Sequence, residues 1–400
     1  MTVRLSISGN PAIVTATPPM TDSPAFASST GVVRLWPQAQ CRALAIWPEA
    51  FRGLAKDHRY HEIVADTLGG DFDCRGLVVH DPAGVPVAVQ PCFFVEQDLL
   101  ATAPAFVRAV VSRLRRRWPR LLRLRMLMLG CAAGEGHPVA PAHLPALLET
   151  LPAIARAHGA ALVVWKDIPA AHRADLAPLA GWFPRIASMP ATRLALGFTS
   201  FDDYLARTLS HAMRKNLRRK FRETADRPVL EMTVTTSVGG AVEEVYALYL
   251  QVFARSSLRF EKLSKEFLLE LGRRMPDCLR IFQWRERGRL VACSLCLVHD
   301  GVLYDEYLGL DYRLALDRNL YFVTFRDVLS WALAQGLRAY HSTPLSYESK
   351  LRLGFHLAPL DLYVAPAAAW ARPLMKLVLP WIQPTRAEPR LREFPNAEEL

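Results

Sequence analysis

Residues 278–310 read CLRIFQWRERGRLVACSLCLVHDGVLYDEYLGL. Three apolar runs are separated by Arg287-Gly288 and Asp300-Gly301, dipeptides that mark tight turns. The stretch predicts three consecutive strands. A helical pattern follows over 319–335, then a short strand in LRAYHS, 337–342. Upstream, residues 74–95 read CRGLVVHDPAGVPVAVQPCFFV, a hairpin pattern around an Asp-Pro-Ala-Gly turn. After it come a basic helix near 104–118, a strand in RLRMLMLG, a helix over 143–158 and a strand in AALVVWKDI. Laid on each other at an offset of 204 residues, the two hairpins match at Cys74/Cys278, Gly84/Gly288, Val87/Val291, Ala88/Ala292 and Cys92/Cys296. The shared order of elements predicts two related α/β (α+β) units in tandem, each a mixed sheet flanked by helices. Further helices are expected over 42–68, 241–255 and 264–274.

Composition bounds the rest. Of 400 residues, 51% are apolar and 22% charged, enough for substantial cores in two or three domains. No apolar run is long enough to span a bilayer, and the N-terminus lacks a signal-peptide pattern. The seven cysteines are scattered and odd in number, which does not fit a disulfide framework and points to a reducing cytoplasm. Residues 1–32 read as a loose tail, 33–190 as the first unit, 191–365 as the second and 366–400 as a Pro-rich tail. Within that last stretch, AAAWARPLMKLVLPWIQP has the makings of an interfacial amphipathic helix, interrupted by Pro373 and Pro380.

The net charge of +11 is concentrated: residues 108–125 carry eight arginines and no acid, and residues 207–227 are net +6, so the remainder is net negative. Projected as one helix, residues 205–222 place Leu205, Leu209, Met213 and Leu217 on one face and Arg214, Lys215, Arg218 and Arg222 on the other. Such a face is either simply solvated or holds an anion: nucleic acid, or a phosphate-bearing small ligand.

The stretch 179–221, LAGWFPRIASMPATRLALGFTSFDDYLARTLSHAMRKNLRRKF, resembles the middle of the FemAB/FemX-like and BioF2-like acetyltransferases, tandem members of the GNAT (acyl-CoA N-acyltransferase) superfamily. The resemblance rests on Gly181-Trp182, Phe201, Tyr204, Arg214, Leu217 and Arg218. It continues in DEYLGLDYRLALDRNLYF (305–322) and YESKLRLGF (347–355), where Asp311, Lys350 and Gly354 match family positions. It implies transfer of an acyl group from acyl-CoA to a small-molecule amine acceptor, without a metal. It also implies anion binding by Arg214, Arg218, Asn319, Lys350 and Arg352. The chain departs from the family pattern in several places. The glycine-rich pyrophosphate loop is absent, RLALDRN (313–319) standing in its place, and His341 and Ser349 replace the usual residues near the last motif.

In such a transfer the amine attacks the acyl carbonyl directly, and a carboxylate takes its proton. Along VLYDEYLGL, strand alternation puts Tyr304 and Glu306 on one face and Asp305 and Tyr307 on the other. Glu306 is the favoured base, Asp311 the next candidate, and Tyr347 a candidate proton donor to the leaving group. Each also has a purely structural reading, as a paired strand carboxylate or a packed tyrosine. An aminoacyl-tRNA-dependent transferase acting on a cell-wall precursor is the alternative: the missing glycines favour it, the lack of a long helical arm opposes it. A catalytically inactive anion- or nucleic-acid-binding protein is the third class. His58 and His61 have helical spacing but no evident third metal ligand, Cys293 and Cys296 read as two core cysteines, and GCAAGEGHP (130–138) reads as a loop near the groove.

Overall fold

The computed structural model describes residues 23–98, 105–118, 121, 123–225, 227–256 and 259–400. The first half supplies strands β1 (Ala25–Ser28), β2 (Gly31–Pro37), β3 (Asp73–His80), β4 (Pro86–Asp98), β5 (Arg123–Leu129), β6 (Leu162–Pro169) and β7 (Arg185–Ala187). The second supplies β8 (Ala191–Ala195), β9 (Leu230–Thr235), β10 (Leu279–Glu286), β11 (Arg289–His299), β12 (Val302–Leu310), β13 (Ala339–Ser342), β14 (His356–Ala358) and β15 (Leu360–Pro366).

They form two mixed sheets flanked by helices, in the orders β1-β2-β3-β4-β5-β6-β15-β7 and β14-β8-β13-β12-β11-β10-β9. The repeat expected from the hairpins is present. In each sheet an antiparallel meander (β3-β4-β5 and β10-β11-β12) is followed by a helix (Leu144–Ala157 and Leu320–Ala334) and then a parallel strand. Parallel neighbours need such a crossover, so the helix is part of the motif. The turns behave as their dipeptides demand: Arg287, Gly288, Asp300 and Gly301 all take the left-handed region.

The two units are not separate beads. β15, at the end of the segment expected to be the second unit, lies in the first sheet between β6 and β7. There Asp361 is fully buried and accepts from Arg173 (2.7 and 3.0 Å) and Arg185 (2.7 Å). One shared core then joins the sheets: Phe72, Phe93, Met126 and Val164 of the first unit pack with Leu248, Phe267, Leu271 and Leu295 of the second. Helices Val242–Arg255 and Lys265–Arg274 lie in this seam, and Arg59 of helix His58–Thr67 reaches across it to Asp277 at 2.7 and 2.9 Å. Cys293 belongs to the shared core and Cys296 to the core on the opposite face of the second sheet, as residues three apart on a strand must.

Three expectations need correction. Part of the segment read as a loose N-terminal tail is structured, as β1 and the start of β2; residues 1–22 lie outside the described residues. The expected helix over 42–68 is three short ones, Gln38–Cys41, Ile46–Glu49 and His58–Thr67. The C-terminal stretch is also folded: helix Arg372–Ile382 docks Leu379 in the shared core, and Leu391 and Phe394 are buried against the second sheet's outer core.

Because Asp361 ties the exchanged strand to two arginines, Asp361→Ala removes three charge-assisted hydrogen bonds. It should lower stability by about 2 to 3 kcal/mol, read as a lower urea midpoint with an unchanged m-value.

Candidate active site at the seam of the two sheets

The site is organised by an irregularity in β12. Cys296 of β11 faces Asp305 and Leu295 faces Tyr307, which leaves Glu306 as an extra, bulged residue. Alternation therefore fails there, and the expectation that Asp305 and Tyr307 share a face is overturned. Tyr304, Glu306 and Tyr307 all point into the seam, whereas Asp305 points to the opposite side. The parallel ladder between β12 and β13 ends at Asp305 and Ser342. Past it, Thr343 makes two long bonds of 3.4 Å to the carbonyls of Asp305 and Glu306. Tyr307–Leu310 then have no strand neighbour on that side among the described residues.

On the seam side, Glu306 is nearly buried, 7% exposed, and pairs with Lys56 Nζ at 2.7 Å. Lys56 comes from the loop before helix His58–Thr67, 250 residues away in sequence. Burial disfavours its ammonium, but the charge of Glu306, helped by Tyr60 and Glu135, outweighs that and holds its pKa above the ordinary lysine value. Around this pair lie Lys166, bonded to Asp167 (2.6 Å) and to the Gly134 carbonyl (2.8 Å), together with Glu135, Glu261 and His341. Burial pushes the carboxyls of Glu135 and Glu261 up, with Lys56 or Lys166 pulling against it. Burial also lowers His341 to about 4, against the pull of Glu306, so its imidazole is neutral at pH 7. The cluster thus holds two lysines against four carboxylates, with the exposed Arg193 at its edge beside His341 and with Glu135, one-third exposed, 3.8 Å from His341.

The loop expected near the groove does line it. An added Cβ at Gly134 would meet Lys56 at 2.8 Å, and one at Gly136 would meet the Lys166 carbonyl at 2.2 Å. The glycines let the backbone close on both lysines and carry Glu135 between them.

On the other side of β12, the Asp305 carboxylate accepts from Ser294 and Tyr340, each at 2.6 Å. Together with Tyr321, Ser342 and Lys350 these line a small cavity under helix Leu320–Ala334. Lys350 Nζ donates to the Thr343 carbonyl. Burial lowers its pKa from 10.5 to about 7, while Asp305 pulls the other way.

The remaining sequence candidates are placed as follows. Asp311 is buried in a turn, where it pairs with Arg289 and accepts from the Arg313 amide at 3.0 Å; it lies five residues beyond Glu306 and takes no part in the cluster. The Tyr347 hydroxyl donates to the Pro190 carbonyl at 2.7 Å and its ring packs on Phe394. The expected single basic helix is two, Phe201–Thr208 and His211–Ala225, broken at Leu209-Ser210. Arg214 donates to the Ala206 and Leu209 carbonyls at the end of the first of these. Arg218 is exposed, and Arg352 pairs with Glu348 on the surface. Leu217 anchors the basic helix to the core on the outer face of the second sheet, so this helix does not line the seam. One of its cations does reach a structured position: Lys220 bonds Asn319 Oδ1 at 2.7 Å, at the start of helix Leu320–Ala334. Asn319 itself adopts the left-handed region, the job a glycine does elsewhere. Among the described residues, no group of three or more His, Cys, Asp or Glu is arranged to hold a metal.

The Lys350 environment makes a pH prediction. Between about pH 7 and 10.5 the unfolded chain holds a proton on this lysine that the folded chain does not, so folding stability gains as pH rises through that window. Compared with Lys350→Met, the wild-type protein should gain about 2 kcal/mol between pH 7 and 9, measured by urea unfolding at the two pH values.

Comparison with known proteins finds a matching family model over part of the chain. Residues 211–379 match the model "Acetyltransferase (GNAT) domain". No curated protein matches the chain. Among solved structures, the chain is similar to L-PGS from Bacillus licheniformis, with 12% identity over 81% of this chain and 95% of that one and a TM-score of 0.47. It is similar to FemX, with 12% identity over 80% and 93% and a TM-score of 0.47. It is also similar to a tandem GNAT protein from the clavulanic acid biosynthesis pathway, with 13% identity over 84% and 99% and a TM-score of 0.45. The second sheet, its bulged central strand and the exchanged β15 all fall within or across the segment, residues 211–379, that is similar to the GNAT acetyltransferase domain.

Proposed function

We propose that the protein is an N-acyltransferase that moves an acyl group from acyl-CoA to an amine bound in the seam cluster. The observation that carries this reading is the charge imbalance beside the bulge: two buried lysines face four carboxylates next to the one stretch of β12 that β13 leaves open. A cationic amine supplies the missing positive charge. The open edge of β12 offers main-chain groups to an extended donor, as unpaired strand edges do.

The amine gives its proton to Glu135, a better base than an ordinary carboxylate because burial raises its pKa. Glu306 holds Lys56 and fixes the shape of the pocket. The neutral amine nitrogen then bonds to the thioester carbonyl carbon, the carbon–sulfur bond breaks with its electron pair staying on the thiolate, and the second proton of the new amide nitrogen leaves to water. Lys350, whose pKa of about 7 keeps both protonation states available, returns a proton to the sulfur. In this reading Lys220, which bonds Asn319 at the start of helix Leu320–Ala334, is the basic-helix residue that meets the donor's phosphates. An aminoacyl ester is the second donor class, favoured by the missing pyrophosphate-loop glycines in RLALDRN.

Acyl-CoA at a hundred times its dissociation constant should stabilise the protein by about 2.7 kcal/mol, seen as a raised melting temperature. Stabilisation by charged tRNA alone replaces the donor. Glu135→Gln should lower kcat by roughly a hundredfold or more, with KM for the donor unchanged; a wild-type kcat removes Glu135 from the chemistry.

A further inference from the structure

The helix Arg372–Ile382 is amphipathic in an unusual sense: both of its faces are apolar. Leu379 and Met375 turn into the shared core. Leu374, Leu377, Val378, Trp381 and Ile382 fall within about 140° of arc next to them, and all are exposed, Leu377 by 71% and Trp381 by 76%. Trp370, 82% exposed in the turn just before the helix, extends the same patch. Elsewhere in the described residues exposed large apolar side chains stand singly or in pairs; here six adjoin within thirteen residues.

Charge shows what covers the patch. Between Asp361 and Glu388 the chain has no acid, while Arg372, Lys376 and Arg386 are all present. Arg386 borders the apolar face, while Arg372 and Lys376 lie on the other side of the helix, toward Trp182. Arg372 lies over the Trp182 ring at 4.5 Å and Arg386 over the Trp381 ring at 5.1 Å. Arg372 and Lys376, with Trp182, Pro184, Pro373 and Met375, also line a groove between the helix and the turn before β7. The Arg372 Nε in it is shielded from solvent and has no acceptor. Tryptophans at both ends of an apolar face, with cations on its flank, are the pattern of a helix lying in the headgroup region of a bilayer. The helix has 11 residues, and no helix among the described residues is long and apolar enough to cross a membrane. A second copy of the chain would bring the same cations against themselves across a two-fold interface, which the charge pattern opposes.

We infer that this face is a docking surface for an anionic lipid membrane. Leucine and tryptophan side chains enter the acyl boundary, and Arg372, Lys376 and Arg386 meet lipid phosphates. The acyl-transfer site lies elsewhere, in the seam, so docking and chemistry are separable.

The test is sedimentation of the full chain with phosphatidylcholine vesicles, with and without phosphatidylglycerol. The protein should bind the anionic vesicles, less at high salt, and bind neutral ones weakly. Leu377→Ser with Trp381→Ser should lower vesicle affinity roughly tenfold or more, and Lys376→Gln with Arg386→Gln should do so for anionic vesicles only, by a similar factor. Circular dichroism and acyl transfer to a soluble amine should stay at wild-type levels in both. Failure of the wild-type protein to bind anionic vesicles overturns the inference, as does binding that survives the Leu377 and Trp381 substitutions. A dimer seen by light scattering that these substitutions dissolve, without vesicle binding, assigns the face to a second copy instead.

Discussion

The ion pair between Lys56 and Glu306 joins the two halves of the chain at the bulge, deeper than the Arg59–Asp277 and Arg274–Asp66 pairs that also cross the seam. A nearly buried pair of this kind is a poor source of net stability, because desolvation offsets most of the attraction. Its effect is positional. Lys56 has no buried acceptor at this distance other than Glu306 in the cluster, and Glu306 reaches it only because the bulge turns two consecutive residues of β12 to the same face. Shifting the bulge by one residue would send the carboxylate to the Asp305 side and leave Lys56 in the seam without its hydrogen-bonded partner, with only the charge of Glu135 beside it.

From that constraint the division of the site follows. β12 separates two electrostatic environments. The seam side is rich in carboxylates and holds a neutral His341; the cavity side pairs one carboxylate, Asp305, with a lysine that burial brings close to neutrality. The strand is open along one edge between these two environments.

What the sequence revealed, and what it hid, divides along the range of the physics involved. Both meanders, their turns at Arg287-Gly288 and Asp300-Gly301, and the crossover helices follow from local periodicity and turn chemistry, and these elements lie where the patterns put them. Glu306 was legible as a carboxylate on the central strand. Its neighbours were not: Lys56, Glu135, Lys166 and Glu261 come from four separate segments, and no spacing rule links them. The bulge was hidden because LYDEYL alternates normally by letter, and only the pairing with β11 reveals the extra residue. The exchange of β15 was hidden for the same reason, since DLYVAP is an ordinary strand pattern that does not name its sheet.

The basic helix shows how a strong sequence signal can be real and still point away from the site. Its apolar stripe is used as projected, with Leu217 buried, but in the outer core of the second sheet. Its cations are then disposed of one at a time: Arg214 on the carbonyls of the preceding helix, Arg219 on Glu223, Arg218 and Arg222 in solvent. Lys220 differs from the rest because its neighbour is a helix start, where Asn319 accepts from it. Position relative to a second element, and not the density of charge along the first, separates a cation that can hold a phosphate from one that only keeps a surface wet. The C-terminal helix differs: its cations Arg372 and Lys376 share it with an exposed apolar face, and no acid lies between Asp361 and Glu388.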